Sequence, residues 1–132
     1  MNKEATCLPE LRVIIAGSRD FCDYVFLSDT CNCLLSRKVQ TNTIVIISGG
    51  ARGADRMGEQ YAEEKGYEIR RFIPDWEKEG KKAGYLRNTQ MAENADALIA
   101  FWDEKSRGTK NMIDTARKKG LLVRVVKVGN RI

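Results

Sequence analysis

The residues able to do chemistry gather in three polar, glycine-containing turns: Gly17-Ser18-Arg19-Asp20, Ser48-Gly49-Gly50-Ala51-Arg52-Gly53-Ala54-Asp55 and Asp103-Glu104-Lys105-Ser106-Arg107-Gly108-Thr109. Glycine lets backbone N–H groups approach a phosphate closely, and the free N–H groups at a helix N-terminus favour negative charge. Arg19, Arg52 and Arg107 each add a guanidinium suited to bidentate pairing with phosphate oxygens, and Ser18, Ser106 and Thr109 add hydroxyl donors. One such turn says little, because glycine and serine are common wherever a strand hands over to a helix. Three in one short chain point to an anionic, phosphate-bearing ligand.

The chain contains no histidine, so any acid–base chemistry falls to Asp, Glu, Lys, Tyr or bound water. Asp55 and Asp103 are weak catalytic candidates and Asp75 a further one, but no spacing assigns them that task. Asp55 is ambiguous because an acid in the first turn of a helix is favoured by the dipole with or without a ligand. Trp76 either stacks on a base or covers the sheet edge. Gly84, Arg87, Asn88 and Met91 share a helix face at i, i+3, i+4 and i+7, a face that Gly84 and Met91 mark as inward. An arginine there needs an anion or a carboxylate: the ligand, Asp75 or Asp96.

Composition narrows the classes of function. The chain is 42% hydrophobic and 31% charged, the balance of a folded globular protein, and its net charge of +5 suits an anionic partner. Cys7, Cys22, Cys31 and Cys33 match no zinc-ligand spacing and are expected to be reduced thiols, so no metal is expected. A basic stretch, Arg117, Lys118, Lys119, Arg124, Lys127 and Arg131, fits a solvated helix end and a protected edge strand better than a nucleic-acid surface. Neither a leader pattern nor a run of bilayer length is present, which implies a cytoplasmic protein without a membrane partner. Homo-oligomerisation is left open.

The turns need elements to hold them. β-branched apolar runs at 11–16, 43–47, 67–73, 97–102 and 121–126 predict five strands, the third and fifth at the edges because arginines interrupt them. Helices are expected over 22–38, 54–65, 80–94 and 110–119, with Gly66 and Gly120 as C-caps. This alternation predicts right-handed βαβ crossovers and a Rossmann-like three-layer α/β domain: a five-stranded, mainly parallel sheet in the order 3-2-1-4-5 with helices on both faces. Residues 1–10 are expected to be a tail and 11–132 one domain. In that order the turns after strands one, two and four lie side by side around the topological switch point.

Taken together, Gly17-Ser18-Arg19, the Ser48–Asp55 turn, Trp76, Ala83-Gly84 with Arg87-Asn88, and Ser106-Arg107-Gly108-Thr109 resemble the YspA/YpsA-related branch of the SLOG superfamily, in order from about residue 11 to 126. The resemblance implies a Rossmann-like domain that binds nucleotides or derivatives such as ADP-ribose or NAD-like molecules, often as a sensor in bacterial or phage settings. The expected ligand-binding set is thus Gly17, Ser18, Arg19, Ser48, Gly49, Gly50, Arg52, Gly53, Asp55, Trp76, Arg87, Asn88, Ser106, Arg107, Gly108 and Thr109, with no cofactor beyond that ligand. Other branches supply the alternatives: phosphoribohydrolases, and a DNA-processing protein that binds single strands. The hydrolase branch follows its Gly-Thr with glutamates, whereas Gly108-Thr109 here precedes Lys110, Asn111 and Met112.

Overall fold

The computed structural model describes residues 8–129, and in it the five apolar runs pair as one parallel sheet in the order β3-β2-β1-β4-β5. The strands are β1 (Glu10–Gly17), β2 (Thr43–Ser48), β3 (Glu68–Arg71), β4 (Ala97–Trp102) and β5 (Leu122–Lys127). Val13 of β1 stands opposite Ile46 of β2 and Ala97 of β4, which fixes the register of the three central strands. β3 and β5 form the edges, as their interspersed arginines predict.

Because successive strand residues face opposite ways, the central strands feed two cores. Val13, Ile15, Ile46 and Phe101 pack with Leu27, Cys31 and Leu35 of α1 (Tyr24–Leu35) and with Ala54, Tyr61 and Ala62 of α3 (Ala54–Lys65). Ile14, Ala16, Ile47, Leu98 and Ala100 pack with Met91 and Ala92 of α5 (Ala83–Glu93) and with Met112, Ile113 and Ala116 of α6 (Arg107–Lys118).

Capping shifts several boundaries. The expected helix over 22–38 begins only at Tyr24, where the Asp23 side chain accepts the Phe26 amide, and a short α2 (Lys38–Thr41) follows it. The helix expected over 80–94 is instead α4 (Trp76–Glu79), a 3₁₀ turn (Gly80–Lys82) and α5; Asp75 caps α4 by accepting the Lys78 amide at 3.1 Å. At the fourth helix, Ser106 is the N-cap, so α6 starts three residues earlier than the expected Lys110. β3 is shorter than expected, and β1 takes in Glu10, which was assigned to the tail.

Among the described residues no helix is long and apolar enough to cross a membrane, and no cluster of ligating side chains suits a metal ion. Cys22, Cys31 and Cys33 are free thiols; Cys7 and Arg131 lie outside the described residues.

Candidate functional site

Three turns meet because the strands that carry them are neighbours, and Ser18 locks them together. The Ser18 amide donates to the Phe101 carbonyl at 3.0 Å, its hydroxyl accepts the Asp103 amide at 3.1 Å, and its carbonyl accepts the Ala54 amide at 3.4 Å. Close approach demands glycine twice here. A Cβ on Gly17 would collide with the Phe101 carbonyl, and one on Gly53 would collide with the carbonyls of Ser18 and Arg19. Gly53 is also at φ +80°, a backbone region that side chains rarely tolerate.

Above this junction opens a cavity of about 520 Å³, within the range of ordinary small-molecule sites. The β1 turn contributes Gly17, Ser18, Arg19 and Asp20, and the start of α3 contributes Arg52 and Asp55. Trp76 and the α5 face with Lys81, Gly84, Tyr85, Arg87 and Asn88 form another wall. Asp103, Lys105 and the α6 start with Ser106, Gly108 and Thr109 close the circuit, over a floor that includes Met91 and Met112. Five cationic side chains face three carboxylates in this lining, which leaves the cavity net positive.

The other expected residues support the cavity without lining it. The Ser48 hydroxyl donates to Glu59 Oε2 at 2.6 Å and accepts the Gly50 amide at 3.0 Å, while Arg71 Nε holds the other oxygen of Glu59 at 3.0 Å. Gly49 gives its carbonyl to Arg87 Nη1 at 2.6 Å. Gly50 and Gly53 shape the turn, and Arg107, although first in α6, is exposed and outside the lining. Lys105 lines the cavity where Arg107 was expected.

Neither of the two carboxylates weighed as partners for Arg87 in the sequence is bound to it. Asp96 is occupied by Arg12, with Arg12 Nη2 at 3.1 Å from Oδ1, and Asp75 caps α4. The carboxylate facing Arg87 is that of Asp55: at the place a Gly49 Cβ would take, Arg87 Nη1 lies 2.5 Å away and Asp55 Oδ2 2.9 Å away. Yet the two side chains do not come within ion-pair distance. Arg87 is instead held by the Gly49 carbonyl and, through Nε, by Asn88 Oδ1 at 3.0 Å. Asn88 Nδ2 donates in turn to Asn111 Oδ1 at 2.9 Å and to the Gly108 carbonyl at 3.3 Å. A polar relay thus runs from the β2 turn through α5 to the start of α6.

Electrostatics separate the two aspartates. Burial pushes the Asp55 carboxyl up to about 6, against the pull of Arg87 and the amides of Ala51 and Gly17. Burial also acts on Asp103, but there the amides of Ser106 and Lys105, each 2.8 Å from Oδ1, and the Ser18 hydroxyl prevail and lower it. Asp103 is therefore a turn-capping carboxylate, whereas Asp55 can hold a proton near neutrality. Arg87 is lowered by its own burial and by Arg19, with Asp55 opposing. Arg52 makes only an exposed pair with Asp20 at 3.4 Å, a contact weak enough for a ligand to displace.

Ser106 and Thr109 cap α6, the Ser106 Oγ accepting the Thr109 amide at 3.3 Å and lying 3.0 Å from the Thr109 hydroxyl. Lys81 and Tyr85 were not expected in the site, although their i, i+4 spacing ahead of Asn88 carries the same helical signal that marked Arg87. In the basic C-terminal stretch, Lys119 pairs with Glu93 and Lys127 with Glu104, both exposed, as a solvated surface predicts.

The comparisons with known proteins match this architecture. A model of the YspA, cpYpsA-related SLOG family matches residues 11–78. Over 118 residues, 85% of this chain and 93% of the relative, the chain is 36% identical to the Gene 61 protein of Mycobacterium phage D29. The X-ray structure of TM1055 superposes with a TM-score of 0.61 at 21% identity, covering 88% of this chain and 72% of that one. DNA processing protein A (DprA) from Streptococcus pneumoniae gives 0.66 at 17% identity, with 89% of this chain spanning 50% of its length. At these identities the two solved structures speak to the fold alone. With the three-turn junction in place, the family match and the phage relative together establish that the chain belongs to the YspA, cpYpsA-related SLOG family.

Proposed function

We propose that this cavity binds a nucleotide or nucleotide derivative, such as an ADP-ribose- or NAD-like molecule, by its phosphate, and that the chain works as a sensor or regulatory binding module. The observation that carries this is Arg87. It is a half-buried guanidinium at the cavity wall, beside a second cation, Arg19, and held by a carbonyl and an amide oxygen with no carboxylate in ion-pair contact. An anion in the cavity would supply the missing charge. The N-terminus of α6, where Ser106, Gly108 and Thr109 line the cavity, faces the same space and favours phosphate. Membership of a SLOG family supports the assignment, and the free thiols fit a reducing, cytoplasmic setting. We take residues 11–132 as the one domain that holds this site.

Thermal melts and calorimetry against ADP-ribose, NAD, AMP and cyclic nucleotides test the proposal. Ligand at about a hundredfold excess over its Kd stabilises by about 2.7 kcal/mol, and Arg19→Ala or Arg52→Ala should weaken that response. An absence of any shift across the panel would overturn it.

Asp55 favours a second reading, hydrolysis of an N-glycosidic or phosphate bond. It is a buried, cavity-lining carboxyl pushed up to about 6, the range useful to a general acid or base. Nothing acidic replaces it at Lys110, Asn111 or Met112, where Asn111 is tied to Asn88 and Met112 is buried. Chromatography of the same incubations for released base or phosphate, with Asp55→Asn as control, decides between binding and turnover.

A further inference from the structure

Half of the large exposed apolar side chains among the described residues fall between residues 73 and 86: Ile73, Trp76, Tyr85 and Leu86. Two of them, Trp76 and Tyr85, line the cavity itself while remaining 53% and 50% exposed. Neither ring stacks on another aromatic side chain of the described residues, although Phe21, Phe26 and Phe101, and also Tyr61 and Tyr67, pair closely in the core. Trp76 lies along α5 at Gly84: its Cη2 is 3.5 Å from where a Cβ on Gly84 would stand. The indole rests against the helix one turn before Asn88. Trp76 is thus held at one edge with most of its surface free.

Resting on the phosphate-binding proposal above, we infer that the Trp76–Tyr85 edge receives the aromatic base of the ligand, so that the site takes a nucleotide in preference to a bare sugar phosphate. The cavity presents two cations, Arg19 from the β1 turn and Arg87 from α5, and two half-exposed aromatic rings that stack on no other, Trp76 and Tyr85. Tyr85 precedes Asn88 by three residues, so about one helical turn separates the aromatic edge from the polar relay. A molecule that satisfies both ends is anionic at one end and planar and aromatic at the other. Stacking on exposed aromatic side chains is sequence-tolerant, because every base has a π-face. The edge therefore selects for a base without choosing which. Lys81, in the 3₁₀ turn four residues before Tyr85, is also in the lining and adds a further cation to the cavity.

Titration calorimetry with ribose 5-phosphate and with each of the four nucleoside 5′-monophosphates tests the inference on the intact chain. At least one monophosphate should bind roughly tenfold or more tightly than ribose 5-phosphate, the scale of one base stacked on an aromatic ring. Trp76→Ala should bring that monophosphate down to the affinity of ribose 5-phosphate and leave ribose 5-phosphate itself unchanged. Trp76→Phe, which keeps a stacking face, should retain most of the preference. Equal affinity for sugar phosphate and all four nucleotides in the unaltered protein overturns the base edge while the phosphate site stands. Failure of every probe, ribose 5-phosphate included, overturns both. A self-associating protein that Trp76→Ala renders monomeric, with nucleotide affinity unaltered, makes the edge a contact between copies and also overturns the inference.

Discussion

Arg87 donates from Nη1 to the carbonyl of Gly49 at 2.6 Å, and this bond ties the middle of α5 to the turn after β2. Charge on that guanidinium is spent on a neutral oxygen. Asp55, the carboxylate that faces it, stops short of an ion pair and acts on it only through space, so this partly buried cation has no carboxylate in contact. The same bond begins a relay in which Asn88 joins Arg87 to Asn111 and Gly108, and three segments far apart in sequence share one set of hydrogen bonds.

The relay predicts a stability cost at Asn88. Its side chain is 5% exposed and makes three hydrogen bonds. Asn88→Ala leaves Arg87 Nε and Asn111 Oδ1 without these partners in a partly buried setting, which should cost roughly 1–3 kcal/mol. Urea denaturation of Asn88→Ala, Asn111→Ala and the double variant measures it. The two losses should be strongly non-additive because they share a bond; strict additivity would mean that the contact contributes nothing.

Asp55 predicts a pH dependence. Its folded-state pKa, about 6, lies above the ordinary 3.8, so the native state binds the proton more tightly than the unfolded chain does. The resulting stabilisation is complete below about pH 3.8 and is lost as pH rises through about 6. The gap corresponds to about 3 kcal/mol as an order of magnitude, undiminished by solvent because the group is buried. Asp55→Asn removes the buried charge. It should therefore melt higher than the unaltered chain at pH 8, and the difference should shrink or reverse toward pH 4. A lower melting temperature for Asp55→Asn at pH 8 would show that the bonds from Ala51 and Gly17 to the carboxylate outweigh its desolvation.

Gly53 predicts that the turn after β2 admits no side chain. At φ +80°, with the place of a Cβ against the carbonyls of Ser18 and Arg19, an alanine meets both backbone strain and a collision. Gly53→Ala should lose about 2 kcal/mol or more, measurable by chemical denaturation. Gly108→Ala is the contrast: it has open space around the would-be Cβ, sits in the first turn of α6, and should change stability by much less.

The sheet order was legible because strands and helices alternate and the arginines of β3 and β5 mark edges, and the convergence of three turns follows from that order alone. The roles of single residues within the turns were less so. Ser48 belongs to the expected ligand-binding set, but its hydroxyl is engaged by Glu59, eleven residues on in α3. Local spacing gives no sign of that contact. Lys105 and Arg107 exchanged places for a related reason: once Ser106 caps α6, Arg107 becomes the first helical residue and is solvent-exposed, while the residue before the cap lines the cavity. Trp76 admits both edge cover and base stacking by its type, and it stands half-exposed in the cavity lining. Its position depends on α4, a helix of four residues that periodicity does not resolve.

That exchange of Lys105 for Arg107 gives the last prediction, a comparison of cations. Arg19 lines the cavity and acts on Arg87 through space; Arg107 is exposed and outside it. If anion binding depends on the charge facing the cavity, Arg19→Ala should weaken binding of ADP-ribose or AMP by roughly 1–3 kcal/mol, the scale of a lost charge-assisted hydrogen bond, whereas Arg107→Ala should stay within about 0.5 kcal/mol. Lys105→Ala should fall between them, because a lysine acts on phosphate as a mobile point charge without the bidentate fork. Calorimetry at low and at physiological salt checks the ranking: both arginines are exposed and their attraction weakens with salt, but only Arg19 lines the cavity, so its loss should cost more at both salts. An Arg107→Ala loss equal to that of Arg19→Ala at both salts would move the phosphate out of the cavity and onto the exposed first turn of α6.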